Sequence, residues 1–384
     1  MKKIRCKNII LPDGMLDGWI FTDGGKIARV SAVDRPADGE IDLSDLFIAP
    51  GFIDLHTHGG GGFSFTGSVE DIVAAANFHL SHGTTALCPT ISADDFSVMT
   101  GAVERIGAAM TDPRLIGTIP GAHPEGPYLS EQQAGAQCAA CITAPREEDY
   151  LPLLAARHTA IARWTYAPER DEGEKFVKAL SKYGVLPSAG HTDATYADMR
   201  RAMENGCRLV THLYSCTSTV TRDHGFRIPG VIETAFLEDD LFVEIICDGR
   251  HLPPELIRLV YKIKGPDKIA LVTDSLSLAG TAETHGFMQN TEYVIEDGVC
   301  KLMDRSAFAG SIATADRLLR VAVREAGIPL RDAVKMLTST PAAILGLTDR
   351  GAIETGKAAD LVALDQDLTV RRVFVGGEVV YKAD

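Results

Sequence analysis

No stretch of 18 or more apolar residues occurs anywhere in the 384-residue chain. A membrane-spanning helix, which needs about 20 such residues, is therefore not expected. A surplus of positive charge is also missing. The chain carries 38 Lys+Arg against 52 Asp+Glu, a formal net charge of −14. That disfavours a nucleic-acid partner, which would need a basic face. The start, MKKIRCKNIILPDGM, reaches Pro12, Asp13 and Gly14 before a signal-like apolar core can form. The expected setting is cytoplasmic, with no membrane partner. The eight cysteines are scattered singly except for Cys138 and Cys141. They make no disulfide framework, and a CxxC without a second CxxC reads as incidental rather than metal-binding. No GxGxxG follows the first strand-like segment, which counts against a dinucleotide-binding open sheet.

What is present is an alternation. Strand-like runs fall at 51–58, 84–90, 115–123, 160–167, 184–191, 208–213, 242–249 and 268–274. Helical patterns lie between them, and the one beginning at Ser68 has Asp71 three residues on, as in a capping box. The mean spacing, (268 − 51)/7, is about 31 residues, the size of a βα unit. Eight such units predict an α/β fold, a (β/α)8 TIM-type barrel over 50–340. The runner-up is a doubly wound open sheet. Both ends of the chain read as short β-strands, with turns at PDG, TDGG and a Gly-Gly hairpin. Neither end could make a stable sheet alone. Residues 1–49 and 341–384 are therefore expected to combine into one small β-sandwich domain. Residues 285–304 read as a hairpin inserted after the last barrel strand.

Barrel enzymes carry their chemistry at the C-terminal ends of the strands. Those ends hold His56, His58, Glu125, His191, His212, Asp248 and Asp274. His56 and His58 are two apart on a strand and share a face, so both rings can reach one ion. His191, His212 and Glu125 can converge on the same place. Three such ligands and an open position suit a catalytic metal, and five suit two metals sharing one bridging group. Asp274 can take a proton from the attacking water. His79, His82, His158 and His285 read instead as ordinary hydrogen-bonded histidines. The run GGGG at 59–62 fits either phosphate cradling or a close approach of backbone to a metal site.

These residues stand in motifs that resemble a known family. APGFIDLHTHGGGG resembles the first-strand signature of the amidohydrolase superfamily. GAHPEGPYLS resembles the HLEGP motif of N-acetylglucosamine-6-phosphate deacetylases. GHTDAT, VTHLY, ICDGRH, LVTDSLSLAGT and FAGS follow in the family's order. The resemblance implies a barrel that uses one or two divalent metals, with Zn, Fe, Mn or Co all compatible with such ligands. It also implies a homodimer and a small amino-sugar substrate that loses its acetyl group. Glu125, His191 and His212 match the main metal ligands, His56 and His58 a second-metal pair, and Asp274 the catalytic aspartate. His251 matches a substrate-binding histidine. Arg227 matches an arginine for the sugar phosphate, with Arg222 as a rival. Ala136 and Phe308, Ala309 and Gly310 match positions lining the sugar. The chain departs from the family at Ser215 and Cys216, where Asn and Ala are usual, and at Gln137, where a histidine is usual. Its segment 217–226 is also longer. These departures touch substrate contacts rather than the metal set. They keep open a second amidohydrolase reaction, on another N-acetyl amino sugar or a cyclic amide. A non-catalytic metal or sugar sensor would need a missing ligand, and none is missing.

Overall fold

The structure is a computed structural model that describes residues 1–289 and 291–383. Eight parallel strands run through the middle of the chain: Phe52–Thr57, Thr84–Ile91, His123–Pro124, Arg163–Tyr166, Leu186–Ala189, Leu209–Val210, Phe242–Ile246 and Ile269–Val272. Each is followed by a helix, from Val69–Leu80 after the first to Ala315–Arg320 after the last. Neighbours in sequence are neighbours in space. The first three strands pair in order, and so do the last five. Parallel bridges Ala122–Ile161 and Glu125–Thr165 join the third strand to the fourth. The last strand returns to the first: Asp274 N–H donates to His56 O at 2.9 Å, and His58 N–H donates to Ser275 O at 2.8 Å.

Local signals explain much of this. Ser68 caps its helix and Asp71 reaches back to the Ser68 N–H, so the capping box forms as the sequence indicates. The strand expected over 115–123 is shorter than its sequence suggests. Only His123–Pro124 is regular, with single bridges at Thr118 and Ala122. Pro120 has no N–H to give, and glycines at 117 and 121 add backbone freedom without packing. The insertion at 285–304 is a three-stranded antiparallel meander (His285–Met288, Thr291–Glu296, Val299–Leu302), not a simple hairpin. Asn290 within it lies outside the described residues.

The two ends of the chain do combine. Strands Lys2–Leu11, Gly14–Asp23, Lys26–Ser31, Glu40–Asp42 and Phe47–Pro50 share one eight-stranded sheet with Leu361–Leu364, Val370–Val375 and Glu378–Lys382. Lys26 bridges Ala358, and Ala359 N–H donates to Gly25 O at 2.9 Å, so the sheet curls until the turn at Gly24–Gly25 meets the segment leading into Leu361–Leu364. Along Leu361–Leu364 the side chains alternate between two cores. Leu361 and Ala363 pack with Ile4, Ile9 and Phe374 inside the curl, while Val362 and Leu364 pack into the main core. That period-two pattern fixes the sheet against the central strands. No helix among the described residues is long and apolar enough to cross a membrane.

Candidate active site

Every metal-ligand candidate comes to one place, at the C-terminal ends of the parallel strands. His56 lies on the first strand, and His58 just beyond it. Glu125, His191, His212 and Asp274 each follow the end of a strand by one or two residues. His56 Nε2 and His58 Nε2 are 3.2 Å apart, as expected for i and i+2 on one face. Glu125 is shared between two groups of three, His56–His58–Glu125 and Glu125–His191–His212. Its Oε1 lies 2.9 Å from His212 Nε2, 3.2 Å from His191 Nε2 and 3.5 Å from His56 Nε2. Its Oε2 lies 3.4 Å from His58 Nε2. Asp274 Oδ1 lies 3.2 Å from His58 Nε2 and 3.5 Å from His56 Nε2. All six groups are buried.

This donor set fits a bound cation. His191 Nδ1 faces Gln133 O at 2.8 Å and donates to it in the neutral ring. The lone pair on Nε2 then points at a carboxylate oxygen. Such an arrangement of acceptors needs either a proton or a metal ion between them. Charge preferences agree. Burial opposes ionisation of Glu125, but the surrounding histidines outweigh it and hold the carboxyl well below its usual pKa. Burial likewise opposes a charged Asp274, and His56 and His58 still bring it down to about 2. Burial also disfavours a cationic His58, yet Asp274 and Glu125 raise its pKa above the usual value. The pocket wants positive charge and has built-in anions to hold it.

Backbone strain marks the same residues. His191, His212 and Asp274 have φ of 48°, 28° and 47°, a left-handed region that non-glycine residues seldom enter. Tyr214 and Cys216 join them at 79° and 49°. Strain of this kind persists where the surrounding structure fixes it, commonly at functional sites.

A cavity of about 280 Å³ opens over this cluster. Its walls include His58, Glu125, His191, His212 and Asp274, together with Ala136, Gln137, Ser215, Cys216, His251, Phe308, Ala309 and Gly310. His56 lies behind His58 and is fully buried. Gln137 is partly committed: its carbonyl accepts from Ala93 N–H at 2.7 Å and its amide donates to Glu125 Oε2 at 2.7 Å. Asp248 Oδ2 lies 2.8 Å from His251 Nδ1, and Asp248 Oδ1 accepts both Arg250 and His251 N–H groups. The ring of Phe308 sits edge-on to His251 at 5.0 Å. Arg222 and Arg227 do not line the cavity. They stand on an exposed hairpin, Thr221–Asp223 and Phe226–Ile228, where the Arg227 side chain donates to Gly225 O at 3.0 Å. That hairpin occupies the extra-long segment noted in the sequence.

Some wall and support residues escaped sequence reasoning. Tyr214, Ile246, Met288 and Ala307 also line the cavity. Asp54, buried below, accepts from His56 N–H and from the Thr273 hydroxyl, and burial pushes its pKa up to about 6. His123, buried between the hydroxyls of Thr90 and Thr165, is kept neutral by that burial. The other histidines take ordinary roles. His79 bonds Gly59 O, His158 bonds Leu154 O, and His82 faces Asp316. Cys138 and Cys141 are free thiols and join no group of metal-ligating residues among the described residues.

The sequence model of the amidohydrolase family matches residues 47–380. The chain belongs to the amidohydrolase family. It is similar to the N-acetylgalactosamine-6-phosphate deacetylase of Shewanella sp. (strain ANA-3), 33% identical over 98% of this chain and 92% of that protein. It is also similar to the N-acetylglucosamine-6-phosphate deacetylase of Lysinibacillus sphaericus, 30% identical over 99% of this chain and 97% of that one. Among solved structures, a variant N-acetyl-D-glucosamine-6-phosphate deacetylase of Mycobacterium smegmatis, in complex with N-acetyl-D-glucosamine-6-phosphate, superposes with a TM-score of 0.92. Its identity is 29%, and the match covers 99% of both chains. Amidohydrolases of this kind depend on divalent metals, in keeping with the two ligand groups.

Proposed function

We propose that this chain is a metal-dependent hydrolase that removes the acetyl group from N-acetylglucosamine 6-phosphate, giving glucosamine 6-phosphate and acetate. The observation that carries the reading is the convergence of four imidazoles and two carboxylates under one cavity, in a chain similar end to end to such deacetylases. We read the eight strands and helices as a closed (β/α)8 barrel over 50–340. The curled sheet of 1–49 with 341–384 is read as a second, small β-sandwich domain.

Glu125, His191 and His212 would hold one divalent ion, and His56 and His58 would share Glu125 to hold another. Zinc is the first choice, with Fe, Mn or Co compatible with the same donors. When bound, such an ion polarises the acetyl carbonyl and eases deprotonation of water. Asp274, ionised and next to the ligands, accepts the water's proton as the water oxygen attacks the carbonyl carbon. Asp274 then returns that proton to the nitrogen as the C–N bond breaks. His251, braced by Asp248, binds the anionic end of the sugar and orients the amide at the far end of the cavity. Ala136, Gln137, Ser215, Cys216 and Phe308 to Gly310 border the sugar. Arg227 and Arg222 stand on an exposed hairpin and do not line the cavity of their own chain, which leaves room for an arginine from a second copy. That fits the homodimer that the family resemblance implies; the setting expected from the sequence is cytoplasmic.

A second reading is deacetylation of N-acetylgalactosamine 6-phosphate. It is favoured by the 33% identical relative and by the unusual Ser215, Cys216 and Gln137. Acetate release measured on both 6-phosphates and on the two unphosphorylated sugars separates the readings. The proposal expects the highest kcat/KM on N-acetylglucosamine 6-phosphate. A preference for the galactose epimer moves the assignment to the second reading, and a preference for an unphosphorylated sugar removes the phosphate from it.

A further inference from the structure

Beneath the ligand cluster lies a fully buried ion pair that the chemistry above does not use. Arg163, on the strand Arg163–Tyr166, and Glu244, on the strand Phe242–Ile246, are both wholly inaccessible to solvent. They are in direct contact through Arg163 Nη1 and Glu244 Oε1. Arg163 also donates to Thr211 Oγ1 at 2.8 Å and to Leu55 O at 3.3 Å. Burial brings its pKa down to about 10, so it stays cationic at neutral pH.

Stability does not explain this pair. Taking two charges out of water costs several kcal/mol each, and a well-packed apolar pair of similar volume is commonly as stable or more so. The orientation of Glu244 is more telling. Oε1 is taken by Arg163, while Oε2 turns upward to the ligand cluster. It faces His56 Nδ1 at 3.6 Å and the backbone N–H of His212 at 3.4 Å. His56 Nδ1 is buried and has no hydrogen-bond partner. Its other nitrogen, Nε2, is the one that points at His58, Glu125 and Asp274. A carboxylate behind the outer nitrogen of a histidine favours the tautomer with the proton on Nδ1, which leaves the Nε2 lone pair free for a metal. The backing of His58 is different in kind: its Nδ1 meets the neutral Ser92 hydroxyl at 3.1 Å, so only His56 has a carboxylate behind its outer nitrogen.

We propose that Glu244, held and charge-balanced by Arg163, is a positioning residue that fixes His56 for metal binding in the His56–His58–Glu125 group. The inference rests on the metal reading of that cluster. Neither residue touches substrate, so neither is catalytic.

The test is metal affinity, measured by competition between the intact protein and a chromophoric zinc chelator. The double variant Arg163→Met with Glu244→Leu removes both charges together and leaves none unpaired, so it should fold. The expected result is a 10- to 100-fold weaker affinity at the His56 group. The zinc held by Glu125, His191 and His212 should remain, and the metal-free protein should melt near the wild-type temperature. Should the double variant fail to fold, Glu244→Asp carries the test. It keeps a charge opposite Arg163 but draws the carboxylate back from His56, and a several-fold loss of affinity is expected. Unchanged zinc affinity at both sites in a folded variant would overturn the proposal. Wild-type protein that binds no zinc, iron, manganese or cobalt would defeat the metal reading itself, which is a separate failure.

Discussion

The two ends of the active-site cavity are built differently. At the metal end every group sits on or just past a strand, is buried and has fixed partners: Glu125 meets His191, His212 and Gln137, and Asp274 meets His56 and His58. At the other end the walls come from loops and from the inserted meander, including Ser215, Cys216, Met288 and the 41% exposed Phe308. A rigid end fixes the type of reaction, while an end made of loops can change its substrate without disturbing the chemistry. The same division runs through the residues that depart from the family pattern. Ser215 and Cys216 line the loop-built end. Gln137 reaches across, with its amide on Glu125 and its body in the cavity wall.

The sharpest way to break the contrast is at Asp274. Replacing it with Asn should lower kcat by about 10³-fold or more, by removing the proton acceptor, while the protein keeps its metal. Steady-state kinetics beside metal analysis checks both halves. An active, metal-replete variant removes Asp274 from the chemistry.

At the opposite end, His251→Ala should raise KM for a 6-phosphorylated sugar by about 10- to 100-fold and leave kcat within a few-fold. The unphosphorylated sugar should hardly respond. Equal losses on both substrates would mean that His251 serves something other than the anionic group. A smaller change is expected from restoring the family residues together, Ser215→Asn with Cys216→Ala. It should alter the ratio of kcat/KM between the glucose and galactose epimers by a few-fold while metal content stays constant. A loss of metal there would show that the two ends are not independent.

The smallest effect lies away from both ends. Asp316 is buried, a cost that favours its neutral form, but His82, Arg320 and Thr314 outweigh this and hold its pKa far below the usual value. A carboxyl lowered in the folded state adds stability above the unfolded pKa of about 3.9, and that stability fades as pH falls below it. Asp316→Asn should therefore cost about 1–2 kcal/mol at neutral pH. The difference from wild type should shrink in acid, as urea unfolding at several pH values would show. Activity per folded molecule should not change.

What the sequence revealed follows the same line. Strand-end residues were readable because period and spacing locate strand ends, and ionisable groups there have few structural reasons to exist. The paired ends of the chain were readable because neither could bury its strands alone. The strand at 115–123 is shorter than its apolar pattern indicates because Pro120 breaks the ladder. The meander at 285–302 reads as a single hairpin in the sequence because a third short strand leaves almost no trace beyond the turn at Asp297 and Gly298. Left-handed backbone at His191, His212 and Asp274 has no sequence signature, since only glycine advertises it. Arg163 and Glu244 did have one. Charged residues at inward positions of otherwise apolar strands are rare unless they are paired. The pairing itself joins positions 81 residues apart, and no local pattern carries that.

The central claim is that the His56, His58, Glu125, His191, His212 and Asp274 cluster is a metal centre for amide hydrolysis. It is tested most directly by acetate release from N-acetylglucosamine 6-phosphate, using protein stripped of metal by a chelator and then reloaded with zinc. Stripped protein should release no acetate above background, and reloading should restore one acetate for each glucosamine 6-phosphate formed. Full turnover by metal-free protein would contradict the account.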